Sequence, residues 1–172
     1  MMQMLAAGGT AVLTDGERQA DTDNPRGYYE WEPIKKLPQQ PALIDQADGR
    51  AVKCISQLLF ALPGGRNYRI VFMERPLAEV LASQAEMIRR RGSVAAPLDD
   101  AALARAFENH LKQVELWFTS KPQIRVLRVN YHYVLRDPRA VSETIAGFLQ
   151  QPLDIEAMAR QIDPALHRQR RA

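Results

Sequence analysis

Apolar residues recur along the chain with two different periods, and these periods predict strands that alternate with helices. The segment Tyr68 to Met73 is rich in β-branched and aromatic residues, which is typical of a short strand. The segment Pro76 to Arg91 places its apolar residues on one broad face and has proline at a favoured first helical position. A further helix is predicted to start near Asp99, with apolar residues at Leu103, Phe107, Leu111, Val114 and Trp117 or Phe118.

Shorter elements are predicted on both sides of this central part. They are a helix over 1–7 that stops at Gly8-Gly9, strands over 10–13, 50–56 and 124–129, and helices over 29–37, 138–149 and 154–162. A polar loop over 14–27 separates the first strand from the helix that follows it. Strands that alternate with helices imply a parallel sheet flanked by helices, so the predicted class is α/β.

Length and charge narrow the class of protein further. A chain of 172 residues with 46% hydrophobic content can bury one core, so we predict a single domain over 1–172. The net charge of +3 suits an anionic small ligand and is low for a protein that depends on nucleic acid. One cysteine, Cys54, excludes an internal disulfide framework and fits a reducing, cytoplasmic location. No apolar run reaches the roughly 18 residues of a membrane span. The three histidines are scattered along the chain, so no metal site is predicted.

Arg75 and Ser83 form the clearest candidate for a binding site. Arg75 follows the strand over 68–73, and Ser83 lies eight residues later on the predicted helix. Ligands of parallel sheets bind at the carboxyl ends of the strands, where a guanidinium can pair with a phosphate and a hydroxyl can donate a further hydrogen bond. The alternative for Arg75 is a surface ion pair with Glu74 or Glu79, and for Ser83 a small residue at a helix contact.

Several segments, in this order, resemble the sulfotransferase family, the P-loop α/β enzymes that use 3′-phosphoadenosine 5′-phosphosulfate, and in particular its short bacterial members. The segment Phe72 to Ser83 is similar to the family's 3′-phosphate segment. The opening Met1 to Gly9 resembles the helix that follows the family's phosphosulfate-binding loop. The other similar segments are Asp23 to Glu30, Val129 to Tyr131 and Leu135 to Pro138.

The resemblance implies a three-layer architecture like that of P-loop NTPases, with a parallel sheet flanked by helices. It also implies that the first strand and the phosphosulfate-binding loop, which would precede Met1, are missing from this sequence. Three explanations are an upstream start, a truncated relic, or a second chain that supplies the piece. The donor substrate implied is 3′-phosphoadenosine 5′-phosphosulfate, with Arg75 and Ser83 holding its 3′-phosphate and a small molecule, glycan or peptide as acceptor.

Two further residues take catalytic roles by the same resemblance. Lys53 matches a lysine that lies near the transferred sulfuryl group in many members, although it could equally be a surface lysine at a strand end. The histidine base of many members would fall near Ile55, so that base is absent. Glu30 is the replacement candidate, and Glu32 competes with it. Asp21 and Asp23 could line an acceptor pocket or simply form turns.

Two other functions are compatible with the sequence. A truncated homologue could be catalytically inactive and act as a binding or interaction protein. The arginine runs over 89–91 and 167–171 could instead support weak nucleic-acid binding, although such runs are usually solvated helix ends. We expect no membrane association, and the sequence leaves the oligomeric state open.

Overall fold

The computed structural model describes residues 1–18, 20, 21, 24, 27–90 and 100–163. Its α-helices are α1 (Met2–Ala7), α2 (Leu77–Arg90), α3 (Asp100–Ser120), α4 (Tyr131–Arg136), α5 (Pro138–Leu149) and α6 (Ile155–Ala159). Its strands are β1 (Val12–Leu13), β2 (Ala51–Val52), β3 (Tyr68–Glu74) and β4 (Ile124–Asn130). Three 3₁₀ helices in the described part of the chain span Glu32–Lys36, Pro41–Ala47 and Ser56–Ala61.

The described strands form two separate parallel pairs. In the larger pair β3 and β4 run side by side over seven residues each, from Tyr68 opposite Ile124 to Glu74 opposite Asn130. In the smaller pair Val12 lies opposite Ala51. Parallel strands joined through helices confirm the predicted α/β class at this level.

Side chains alternate along each strand, so the β3–β4 pair has two apolar faces. Helices cover both of them. One face carries Val71, Leu127 and Val129, and it packs against a core that includes Met4 of α1 and Ile145 of α5. The opposite face has a second core. It is built from Ile70, Phe72, Ile124 and Val126 together with Leu59, Val114 and Phe118.

Polar caps fix where several of the helices begin. Asp137 accepts a hydrogen bond from the Ala140 N–H at 3.0 Å and starts α5, immediately before Pro138. Asp154 does the same for α6 through the Ala157 N–H at 2.8 Å. The Asn130 side chain accepts from the Tyr133 N–H at 3.1 Å, so the chain turns directly from β4 into α4.

A third apolar cluster supports the β1–β2 pair. It consists of Trp31, Ile34, Leu37 and Ile44. Ile34 and Ile44 lie in the first two 3₁₀ helices, and Trp31 and Leu37 flank the first of them. The predicted helix over 29–37 is therefore wrong in type, because Pro33 and Pro38 leave room for only a tight 3₁₀ turn. The predicted strand over 50–56 is wrong in extent: it ends at Val52, and Ser56 already begins a 3₁₀ helix.

None of the helices in the described ranges is long and apolar enough to cross a membrane.

Candidate functional site

A cavity of about 1230 Å³ lies between the two pairs of strands. It is lined by two runs of consecutive residues, 48–54 around β2 and 67–75 along β3, and by Met1 and Met2 at the start of α1. Lys53 and Arg75, which follow β2 and β3, are both in this lining, whereas Glu30 and Ser83 are not. The cavity therefore joins one predicted catalytic residue and one predicted cofactor-binding residue.

Arg75 lies where the sequence predicts it, between the end of β3 and the start of α2. Its Nε donates to Oε2 of Glu79 at 2.9 Å, and its guanidinium stacks 4.7 Å above the ring of Tyr131. The Arg75 side chain is 22% exposed. The ion pair with Glu79 is the alternative that the sequence offered. The guanidinium is thus held through its Nε edge by Glu79 and through its face by Tyr131.

Ser83 lies one helical turn after Glu79 on α2 and is half-buried. Residues four apart share a helix face, so Ser83 lies on the same side of α2 as the Glu79 that binds Arg75. Arg75 therefore contacts the helix face that carries Ser83.

Glu79 and His132 form a contact that the sequence did not predict. His132 Nε2 lies 2.9 Å from Oε1 of Glu79, which brings the start of α4 to the start of α2. The hydrogen bond from Arg75 is the main reason why the pKa of Glu79 lies below its ordinary value; His132 adds to this, and burial opposes it. The i,i+4 spacing of Arg75 and Glu79 indicated their contact from the sequence. No local pattern indicated that His132 would join them.

Glu30 and Lys53, the two predicted catalytic residues, are in direct contact. Lys53 Nζ lies 3.1 Å from Oε1 of Glu30 and also donates to the Tyr28 carbonyl oxygen at 3.2 Å. The same Glu30 oxygen accepts from Arg18 Nη1 at 3.1 Å, and the Arg18 guanidinium stacks 3.4 Å from the centre of the Tyr28 ring. Arg18 is a site residue that sequence reasoning missed, because it lies in a polar loop with no spacing that points to Glu30.

The two cations dominate the electrostatics of Glu30. Burial alone would raise the pKa of Glu30, but hydrogen bonds and charge from Lys53 and Arg18 outweigh it, so the pKa lies below its ordinary value. Glu30 is therefore ionised at neutral pH. A carboxylate with a lowered pKa is a weaker proton acceptor, so its use as a base requires Lys53 or Arg18 to turn toward another anion.

The remaining candidates have structural partners or lie outside the described residues. Asp21 accepts from the Tyr28 hydroxyl at 2.8 Å and from the Asn24 N–H at 2.8 Å, which is the behaviour of a turn former. Glu32 binds Lys35 at 2.7 Å near the surface. Asp23 and the run over 167–171 lie outside the described residues. Within the described ranges no three His, Cys, Asp or Glu side chains gather as a metal site.

Ser56 and His110 form a second pair that the sequence did not predict. Ser56 Oγ lies 2.8 Å from His110 Nε2, and both residues line the cavity. The His110 ring also meets the edge of Phe60 at 5.8 Å between centroids. The pair places a hydroxyl and an imidazole next to Ile55 in the lining of the cavity.

Comparisons with protein-family models, with curated proteins and with solved structures returned no match for this chain. A proposal for function therefore depends on the geometry of the cavity, on the polar clusters around Arg75, Glu30 and Ser56, and on the resemblance in sequence.

Proposed function

We propose that the chain is a sulfotransferase-like domain that uses 3′-phosphoadenosine 5′-phosphosulfate to sulfate a hydroxyl or amine. The observation that carries the proposal is that Lys53 and Arg75, at the ends of β2 and β3, line one cavity. Cations at the carboxyl ends of parallel strands are suited to an anionic nucleotide. The resemblance in sequence supports the same assignment.

In the proposed complex Arg75 and Ser83 hold the 3′-phosphate. The Nε edge of Arg75 is engaged by Glu79, so the two Nη atoms are the groups that would donate to phosphate oxygens. Ser83 would add a hydroxyl donor from the same side of α2.

The proposed reaction is an in-line displacement at sulfur. The acceptor oxygen or nitrogen forms a bond to sulfur while the bond from sulfur to the bridging phosphate oxygen breaks, which leaves adenosine 3′,5′-bisphosphate. Lys53 stabilises the negative charge that develops on the bridging oxygen, and Glu30 accepts the proton of the acceptor. The direct contact between Lys53 and Glu30 fits this pairing, because the lysine would shift toward the donor as the carboxylate takes the proton.

A 5′-phosphosulfate normally needs a cradle of backbone N–H groups. The described residues around Lys53 and Arg75 supply side-chain cations and not such a cradle. We therefore expect the chain to bind the donor weakly.

The test is a titration with adenosine 3′,5′-bisphosphate at millimolar concentration, followed by ligand-observed NMR and calorimetry. We expect weak binding by the chain and its loss in Arg75→Ala. Arg89→Ala is the matched control, since Arg89 binds Glu86 on the same helix with a 2.9 Å hydrogen bond from its Nε. Equal affinity in Arg75→Ala, or no binding by the unaltered chain at millimolar ligand, would contradict the assignment.

An interaction protein without catalysis is the second candidate, and one observation favours it. Along the cavity β3 faces open space, since β4 is its one hydrogen-bonded neighbour among the described strands. Such an edge binds other strands.

A further inference from the structure

A shallow groove runs along α3, and all of the residues that line it belong to this one helix. They are Glu108, Leu111, Lys112, Glu115, Leu116 and Thr119, which we call the α3 stripe. Residues that are three and four positions apart share one face of a helix, so the stripe follows the helix axis for about three turns.

The α3 stripe exposes two leucines to solvent. Leu116 is 70% exposed and Leu111 is 37% exposed. The buried side of α3 is formed by other residues, of which Val114 and Phe118 belong to the core shared with β3–β4. The exposed lining of the groove is almost entirely apolar, because the aliphatic stems of its charged residues add to the leucines. Such a face on a long helix is suited to packing against a second helix.

The charges on the α3 stripe alternate in sign, from Glu108 to Lys112 to Glu115. Glu115 is held by Arg128 of β4, yet 45% of its side chain remains exposed. Lys112 is exposed, and no residue of the described ranges forms a salt bridge with it. A helix therefore complements the stripe best if it presents a carboxylate to Lys112 and a cation beside Glu115.

A second copy of α3 meets this requirement in one orientation. When two copies pack antiparallel about a two-fold axis at the middle of the stripe, residues that are equidistant from the middle face each other. Lys112 then lies opposite Glu115 of the second copy, and the symmetry makes this pair twice. Glu108 lies opposite the uncharged Thr119 of the second copy, so no like charges meet.

Other arrangements of two α3 helices lose this match. In a parallel two-fold pair each residue faces its own copy, so Lys112 faces Lys112 and Glu115 faces Glu115. An antiparallel pair shifted by one turn in one direction places Glu108 opposite Glu115 of the second copy. A shift in the other direction places Lys112 opposite Thr119 and makes no ion pair. Because like charges in contact are costly, the charge pattern favours the first arrangement.

The two leucines lie on opposite borders of the α3 stripe. In the antiparallel pair Leu116 lies next to the aliphatic stem of Lys112 of the second copy. Leu111 lies next to the stem of Glu115 of the second copy. These contacts remove apolar surface from water and shield the two ion pairs from solvent.

We propose that the α3 stripe is the interface of a weak symmetric homodimer, in which Lys112 of each copy faces Glu115 of the other. A contact of three helical turns buries less than the roughly 1,200 Å² of a standard interface, so we expect a dissociation constant of about 0.1–1 mM. Leu111 and Glu115 also line the large cavity, so the second copy borders the rim of that cavity. The proposal does not depend on the sulfotransferase function, since nucleotide takes no part in it.

The first test is sedimentation equilibrium of the protein between about 0.02 and 2 mM. Lys112→Glu and Glu115→Lys each place like charges opposite each other twice, and each should weaken association by about tenfold or more. Lys121→Glu makes the same charge change as Lys112→Glu at an exposed residue just beyond α3, and it should leave association unaltered. Thermal unfolding of each variant shows that it is folded.

The second test mixes the two charge variants in equal amounts. In a mixed dimer the substituted positions 112 and 115 carry opposite charges and face each other, and so do the unaltered Glu115 and Lys112. We expect the mixture to associate within about threefold of the unaltered protein, although each variant alone does not. A structural effect confined to one copy cannot produce this rescue.

The rescue in the mixture, with no effect of Lys121→Glu, supports the proposal. An unaltered protein that stays monomeric at 2 mM would overturn it, because the α3 stripe would then belong to a different partner. Association that the variants at 112 and 115 leave unaltered would also overturn it. The same holds for association that Lys121→Glu weakens equally, and for a mixture that stays monomeric.

Discussion

The Nε atom of Arg75 lies 2.9 Å from Oε2 of Glu79, so the predicted phosphate ligand is already bound to a carboxylate. The carboxylate also contacts His132, and its pKa lies below the ordinary value chiefly because of the Arg75 hydrogen bond. An incoming phosphate must share the guanidinium with this anion. Glu79 therefore sets how strongly Arg75 can bind a ligand.

Glu79→Gln should tighten the binding of adenosine 3′,5′-bisphosphate by about two- to fivefold, since a carboxylate near the surface competes only weakly for the guanidinium. Calorimetry measures the change. Glu86→Gln, which breaks the comparable pair with Arg89, is the control and should leave the affinity unaltered. Weaker binding in Glu79→Gln would show that Glu79 positions Arg75 and does not compete with the ligand.

Glu30 should make the stability of the protein depend on pH in the acid range. Its pKa is lowered from 4.5 by Lys53 and Arg18 against the effect of burial. A lowered folded-state pKa gives stability that is fully present above the unfolded value, near 4.5, and is lost as the pH falls through the folded value.

The measurement is the unfolding temperature of the protein and of Glu30→Gln between pH 7 and pH 3. The advantage of the unaltered protein should be constant above about pH 5 and should shrink progressively as the pH falls below the unfolded value. Glu108→Gln, at an exposed site on α3, serves as control. An advantage that grows on acidification would contradict the ion-pair account.

Two glycines provide a matched test of packing. A Cβ at Gly8 would lie 2.6 Å from Met158 Cγ, and Met158 is fully buried, so Gly8→Ala should destabilise by about 1–3 kcal/mol. A Cβ at Gly147 in α5 meets nothing within 4 Å, so Gly147→Ala should stabilise by about 0.5–1 kcal/mol through helix propensity. Urea unfolding measures both, and effects of the same sign would refute the packing of α1 on α6.

Cys54 should react slowly with alkylating reagents. Burial raises the pKa of its thiol to about 11. At pH 8 only about one thiol in a thousand is then ionised, so iodoacetamide should react about 100-fold more slowly than with the chain in guanidinium chloride. Mass spectrometry follows the reaction at this single cysteine, and a rate equal to that of the unfolded chain would show that the thiol is not shielded.

The long elements could be predicted from sequence because their signals are local. The predicted strand over 68–73 and helix over 138–149 agree with Tyr68–Glu74 and Pro138–Leu149 within one residue. The signals there are β-branched and aromatic residues in the strand, and Asp137 and Pro138 as a cap. The helix over 154–162 was predicted too long, since α6 ends at Ala159.

Other features depend on partners far away in the chain. The 3₁₀ helix Pro41–Ala47 and α4 were not predicted, because Pro41 suggests a break and Tyr131-His132-Tyr133 suggests a strand or turn. The contact of Lys53 with Glu30 spans 23 residues, and that of His132 with Glu79 spans 53. The strand-to-helix spacing therefore indicated Arg75 and Ser83 together with the Arg75–Glu79 ion pair. The resemblance indicated Glu30 and Lys53, but neither signal indicated that these two residues bind each other or that His132 binds Glu79.

Cys54, Leu62 and Tyr68 pack against two hydrophobic cores at once, the one beneath β1–β2 and the one between α3 and β3–β4. These shared side chains also line the cavity, and they bridge the two halves of the molecule. Heating should therefore melt both halves in a single cooperative step, because neither half can lose its packing without exposing part of the other.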